Sequence, residues 1–368
     1  MSKGRQAATM LGIITTVVAA ASALADTPSY LNQVDADYTL HDFQFQSGET
    51  LPALRLHYTT IGTQQRNAAG QVTNAVLLLH GTTGTGKVFL GPTLGGELFG
   101  PGQLLDATRY FIIVPDGLGR GGSSKPSDGL RAHFPRYGYT DVVAAQHILV
   151  TQALGIDHLR LVLGVSMGGM HAWMWAEQYP DMIDAAMPIA CQPIAISGRN
   201  LMFRQILTQS IRNDPDWSGG NYKTKPKHWL YTAPLWPIIL DSPIRLQAHG
   251  PTRQAAISAY DEMVANAEKN YDANDFLYWL ESSWDYDPQP SLGKIKTKVF
   301  AVNFADDTIN PSDLDLVENL VKTIPGARFI LVPESGKTAG HQTLGLAAVW
   351  KPYLEELLRV SSQTNTHP

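Results

Sequence analysis

The stretch Leu159-Arg160-Leu161-Val162-Leu163-Gly164-Val165-Ser166-Met167-Gly168-Gly169-Met170-His171-Ala172 decides how the rest of this chain is read. Its first five residues make a mostly apolar strand, residues 170–177 favour a helix, and Gly164 to Gly169 join the two. G-x-S-x-G alone arises often by chance; between a strand and a helix it is much rarer. The turn it demands is sharp, so the hydroxyl of Ser166 is pushed off the sheet edge by a strained backbone. Only small neighbours let strand and helix pass so closely. The start of the helix also favours negative charge beside the serine. Ser166 is expected to be a nucleophile.

A serine hydroxyl near neutral pH needs a base, and the base needs an orienting group. In strand–turn–helix nucleophile folds these follow in the order serine, acid, histidine. Of eleven histidines, His341 alone lies after the last strand expected (328–332) and before the last helix expected (344–358), which makes it the base. The acid comes from Asn303-Phe304-Ala305-Asp306-Asp307-Thr308-Ile309-Asn310-Pro311, after the strand 298–302. Acids of such folds commonly sit four residues before a proline that begins the next element, which selects Asp307. Asp306 is left as a turn or helix-dipole partner. An oxyanion needs two fixed amide donors: Met167, next to the nucleophile, and Thr82 in His80-Gly81-Thr82-Thr83-Gly84. His80, His147 and His171 read as structural strand-end and helix-face residues.

That loop holds a decoy. Gly81-Thr82-Thr83-Gly84-Thr85-Gly86-Lys87-Val88 has phosphate-loop spacing, but Val88 stands where magnesium binding needs Ser or Thr. Neither H-E-x-x-H nor Cys-x-x-Cys occurs, so no metal and no cofactor are expected.

Around this centre, 368 residues with 44% hydrophobic and 17% charged are ample for a large core. A formal charge of -5 without a polybasic block sets nucleic acid aside as a partner. Strand-like runs at 54–59, 75–79, 111–115, 159–163 and 185–189 alternate with helical patterns, which predicts a mainly parallel α/β sheet. A helix is expected from Thr140 or Asp141 to Leu154, stopped by Gly155. Between 192 and 293 the strand signals fade, and five of the eight tryptophans gather there: Trp217, Trp229, Trp236, Trp279 and Trp284. The expected organisation is a core of residues 26–191 and 294–360, a helical cap of 192–293 and a flexible tail of 361–368. Residues 1–25 carry Lys3 and Arg5, an apolar stretch and Ala23-Leu24-Ala25, which reads as a signal peptide cut after Ala25. A periplasmic or secreted protein follows, not held to a membrane after cleavage. Its one cysteine, Cys191, permits no internal disulfide and is expected to be a buried hydrophobe.

Beyond the elbow, Ser166-Met167-Gly168-Gly169-Met170-His171-Ala172 with Tyr179-Pro180-Asp181 resembles the nucleophile helix of the homoserine O-acetyltransferase family, within the α/β-hydrolase superfamily. Tyr58-Thr59-Thr60-Ile61-Gly62-Thr63 resembles its early strand, and Asp214-Pro215-Asp216-Trp217-Ser218-Gly219-Gly220-Asn221-Tyr222 its lid segment. The resemblance covers roughly residues 38–357 and implies an α/β-hydrolase fold, a mainly parallel sheet flanked by helices with a helical cap insertion. Asp307 and His341 fall where the family has its acid and base. Two departures stand out. The family's acetyltransferases usually follow the histidine with an Asp that holds the substrate's ammonium; here it is Gln342. They usually carry Arg in the lid helix where this chain has Thr208-Gln209, with Arg204 and Arg212 nearby. Val114 to Ser124 looks more like general ester hydrolases.

The expected function is hydrolysis of an ester, thioester or lactone through a Ser166 acyl-enzyme. The alternative is O-acyl transfer of the homoserine O-acetyltransferase type, and a third reading is a non-catalytic binding protein on this scaffold. A small ester-type molecule is the expected partner and the chain a monomer or homodimer. The cap, through Trp229 or Trp236, is expected to set substrate choice.

Overall fold

A computed structural model of the chain describes residues 29–362; the signal segment expected over 1–25 and residues 363–368 lie outside them. Among the described residues eight strands form one sheet: β1 (Val34–Gln44), β2 (Thr50–Ile61), β3 (Ala75–Leu79), β4 (Phe111–Pro115), β5 (Leu161–Val165), β6 (Ala185–Ile189), β7 (Lys298–Phe304) and β8 (Arg328–Val332). Their spatial order is β1-β2-β4-β3-β5-β6-β7-β8. β1 pairs antiparallel with β2 and β2 with β4, while β4, β3, β5, β6, β7 and β8 run parallel. Parallel neighbours need crossover connections, and helices supply them.

The helices are α1 (Gly95–Leu98), α2 (Tyr139–Ile148), α3 (Met167–Gln178), α4 (Gly198–Arg212), α5 (Leu235–Leu240), α6 (Pro243–His249), α7 (Arg253–Asn270), α8 (Ala273–Glu281), α9 (Leu316–Val321) and α10 (Ala347–Ser362). β3 shows why its run is apolar throughout. Ala75, Leu77 and Leu79 face a core shared with α2, α3 and α9, and Val76 and Leu78 face one shared with α1 and α10. A strand covered on both faces has no polar side to show. Helices α4 to α8 connect β6 to β7 and carry a core of their own, built on Leu207, Trp229, Trp236, Phe276 and Trp279.

Four expectations shift. β1 was not foreseen, because its polar sequence lies mostly exposed at the sheet edge. The strand expected over 159–163 forms at Leu161–Val165; Leu159 makes only an isolated bridge to Ile183, and Arg160 turns away to bind the end of α10. Neither Thr140 nor Asp141 is the cap of α2: Gly138 holds that place, and Asp285, far along the chain, accepts from the amides of Tyr139 and Thr140. The last helix, expected over 344–358, begins at Ala347 and runs to Ser362, so the tail expected to be flexible is helical over its first two residues. Arg160 explains this, donating to Leu358 O, Ser361 Oγ and Ser362 Oγ.

The elbow between β5 and α3 leaves no room for side chains. A Cβ on Gly168 would lie 2.0 Å from Leu79 O, and one on Gly164 would lie 1.9 Å from Gly168 O. Both obstacles are backbone, so neither can swing aside. Gly168→Ala is therefore expected to cost more than about 3 kcal/mol, at the upper end of overpacking. In a domain of this size that lowers Tm by about 4 °C. A thermal melt of the variant within 2 °C of the parent protein would contradict this.

Candidate active site

Ser166 follows the last residue of β5 with φ 53° and ψ −117°, a conformation that L-residues rarely adopt. Its amide donates to Ile189 O of β6, which fixes the turn against the sheet. The Oγ then lies 2.9 Å from Nε2 of His341, and Nδ1 of His341 lies 2.7 Å from Oδ2 of Asp307. His341 and Asp307 are buried. The sequence expectations for these three residues place them on three separate loops, and the fold brings them into one hydrogen-bonded line.

Asp307 is tightly held. Oδ1 accepts from the amides of Ile309 and Asn310, and Asn310 Nδ2 donates to Oδ2 and to Ala190 O. Burial alone would raise the pKa of this carboxyl; the charge of His341 and the hydrogen bonds from His341 and Asn310 outweigh it and hold the carboxyl below its ordinary range. Asp306 points elsewhere, accepting from the amide of Gly340 and so pinning the loop that carries His341. Asn310 was not foreseen as part of the site. No motif in the sequence marks it: Asp307 is only three residues away, but the carbonyl that completes its hold, Ala190 O, is remote in the chain.

The amides of Thr82 and Met167 donate to no acceptor among the described residues. They flank Ser166 from two sides, Met167 at the start of α3 and Thr82 in the loop after β3. A Cβ on Gly81 would lie 3.4 Å from Ser166 Cβ, so the glycine lets that loop rest on the nucleophile. His80 shapes the loop further: Nδ1 donates to Gly81 O, and Nε2 accepts from the amide of Gly117. The phosphate-loop look of residues 81–88 has a different basis. Asp116 accepts from the amide of Gly86, and Thr85 caps the amide of Lys87, so these donors are spent within the protein.

His80 is a buried neutral ring. Burial, helped by the charge of Arg120 and opposed by the Gly81 bond and Asp116, lowers it to about 4. An unfolded histidine titrates near 6.5. The folded value is the lower one, so the stabilisation is complete above pH 6.5 and is lost as pH falls toward 4. The full span amounts to about 3 kcal/mol. Glu177 works the other way, since burial raises its carboxyl to about 7. The difference between parent and variant isolates His80. In urea unfolding at pH 7 and pH 4.5, His80→Gln is expected to be less acid-sensitive than the parent; equal sensitivity would refute the assignment.

The cavity over Ser166 has a volume of about 160 Å³ and is walled by Thr82, Thr83, Val88, His341, Gln342 and, from α5, Trp236 and Leu240. Among the described residues lining it, none is Asp, Glu, Lys or Arg. Trp236 therefore stands where the cap was expected to act. Trp229 does not: it is buried inside the helical segment against Phe276, with its amide bonded to Asp214. Arg204 is buried too, donating to Leu280 O and lying over the ring of Trp236, while Arg212 pairs with Glu281. Cys191 is buried and burial raises its thiol pKa, in keeping with a packing role. Away from the cavity, Asp214, Asp216 and His228 bring carboxylate and imidazole atoms within 4.8 Å of one another. Asp214 there accepts from the amides of Asp216 and Trp229, a turn-holding arrangement.

Comparison with known proteins agrees with this architecture. The family described as alpha/beta hydrolase fold matches residues 74–341. A homoserine O-acetyltransferase of Pelobacter propionicus is 31% identical over 308 residues, 73% of this chain and 80% of that protein. One from Gluconobacter oxydans is 35% identical over 225 residues, but the match spans only 56% of this chain and 54% of that protein. Among solved structures, the acetyl esterase MekB superposes with a TM-score of 0.76 at 26% identity, covering 89% of this chain and 97% of that one.

Proposed function

This chain is an enzyme of the α/β-hydrolase fold family and belongs to its homoserine O-acetyltransferase-like group, and from that premise we propose that it hydrolyses a small ester, thioester or lactone through a Ser166 acyl-enzyme. His341 takes the proton of Ser166 as the hydroxyl attacks the acyl carbon, and Asp307 orients the ring and stabilises its charged form. The amides of Thr82 and Met167 receive the oxyanion. His341 returns the proton to the departing alcohol or thiol, and water repeats the sequence in reverse.

The observation that carries the choice of water is the uncharged wall of the cavity. An amino-acid acceptor brings an ammonium and a carboxylate, and neither finds a counter-charge among the described lining residues. Gln342, in the position after the base, offers only an amide dipole, and a poorly paired charge in a confined site is costly. The cavity is also small beside the roughly 300–1,000 Å³ of drug-sized ligand sites, which suits a short acyl group. Export directed by residues 1–25 belongs to the same proposal, because acyl-CoA donors are scarce outside the cytoplasm.

Transfer to an alcohol is the second reading, favoured by the names of the relatives. Both routes share the first half-reaction and differ in what takes the acyl group. Acylation with p-nitrophenyl acetate, with and without homoserine, separates them. Rapid release of acetate unaffected by homoserine is expected. Slow release that homoserine accelerates, with O-acetylhomoserine as product, would overturn the hydrolase reading in favour of the transferase.

A further inference from the structure

Arg120 lies in the turn after β4 and is 1% exposed. Its Nη2 is 3.2 Å from Met167 Sδ and its Nη1 is 3.4 Å from the Tyr137 hydroxyl. The guanidinium carbon sits 5.0 Å over the ring of Trp279 in α8, and Trp279 Nε1 donates to Gly119 O beside it. Nε has no partner, and among the described residues Arg120 joins no ion pair. The charge of Asp275 acts on it without a direct bond; a buried guanidinium bonded to no carboxylate is a liability to folding, and apolar replacements of buried charges are often neutral or stabilising. The neighbouring imidazoles add no positive charge. His80 and His171 both have lowered pKa values through burial, with Arg120 contributing.

The charge is aimed at the residue that follows the nucleophile. Trp279, Tyr137 and Met167 hold it there from three sides, one of them in the helical segment and one in the elbow. We propose that Arg120 is a positioning residue for the acyl-transfer step: its fixed charge behind Met167, bonded to no carboxylate, steadies the oxyanion-binding amide and favours the negative charge that develops there. This rests on the Ser166 acyl-enzyme reading. A preorganised charge in a dry setting acts on a developing anion without reorganisation, whereas the neutral ground-state ester gains little from it. The effect therefore falls on kcat rather than KM.

The test compares Arg120→Met and Arg120→Lys with the parent protein, with Arg120→Gln as the substitute if the methionine variant does not fold. Ser166 labelling by a fluorophosphonate is read first in the parent, because an unlabelled serine would sink the acyl-enzyme reading and this proposal with it. With labelling intact, Arg120→Met is expected to lose roughly 10- to 100-fold in kcat for p-nitrophenyl acetate, with KM little changed and Tm equal or higher. A short alkylboronic acid, which becomes a tetrahedral anion on the serine, should bind more weakly by a similar factor. Arg120→Lys should recover most of both losses. Parental kcat in the methionine variant, or a loss that lysine does not rescue, would overturn the proposal.

Discussion

Ser166→Ala is expected to lower kcat/KM toward p-nitrophenyl acetate by roughly 10⁴- to 10⁶-fold, the range seen when a serine–histidine unit loses its nucleophile. Labelling by a fluorophosphonate should disappear with it, because among the described residues no other hydroxyl has His341 Nε2 within 2.9 Å. The fold should be unaffected, since the Ser166 contact to Ile189 O comes from its backbone amide and survives the change. Alanine inherits the backbone of Ser166, at φ 53°, and inherits its strain. Ser166→Gly should be as inactive but more stable than the alanine variant, by about 1 kcal/mol. Calorimetry on the pair reads that difference. An alanine variant with parental turnover would place the chemistry elsewhere.

Asp307→Asn is expected to cost about 10⁴-fold in kcat, as loss of the orienting carboxylate does in comparable triads, whereas Asp306→Asn should cost less than tenfold. The two neighbours are held for different purposes. Asp307 Oδ2 faces Nδ1 of His341 at 2.7 Å and fixes the tautomer whose Nε2 can accept the serine proton. An amide there can present its NH₂ and impose the opposite tautomer. Asp306 accepts one bond from the amide of Gly340, which an asparagine oxygen can also accept. Steady-state kinetics on both variants decides the matter. Equal losses would mean that Asp306 shares the role.

The pattern of what the sequence disclosed follows the range of the forces involved. The elbow is legible because its requirements are local: glycines at 164 and 168 are demanded by backbone a few residues away or on the adjacent strand. His341 is legible by its place between the last strand and the last helix. Arg120 is opaque for the opposite reason. It acts through partners distant in sequence, Tyr137, Met167 and Trp279, and no periodicity announces such meetings. The tryptophans show the same limit. Composition marks 192–293 as a distinct segment, but only packing separates Trp236, at the cavity, from Trp229, inside the helical core.

The helical segment between β6 and β7 has a consequence for how such proteins diversify. Two parallel neighbours must be joined by a crossover of a dozen or more residues in any case. Each doubling of a connection adds only about 0.6 kcal/mol of closure entropy. Expanding this one from a minimal crossover to its present size is therefore cheap in chain entropy, and the added helices offset it with a core of their own. Insertions between β5 and α3 have no such latitude, because the backbone there is already in contact. Lineages can vary what meets the substrate by lengthening the one connection while the elbow stays frozen.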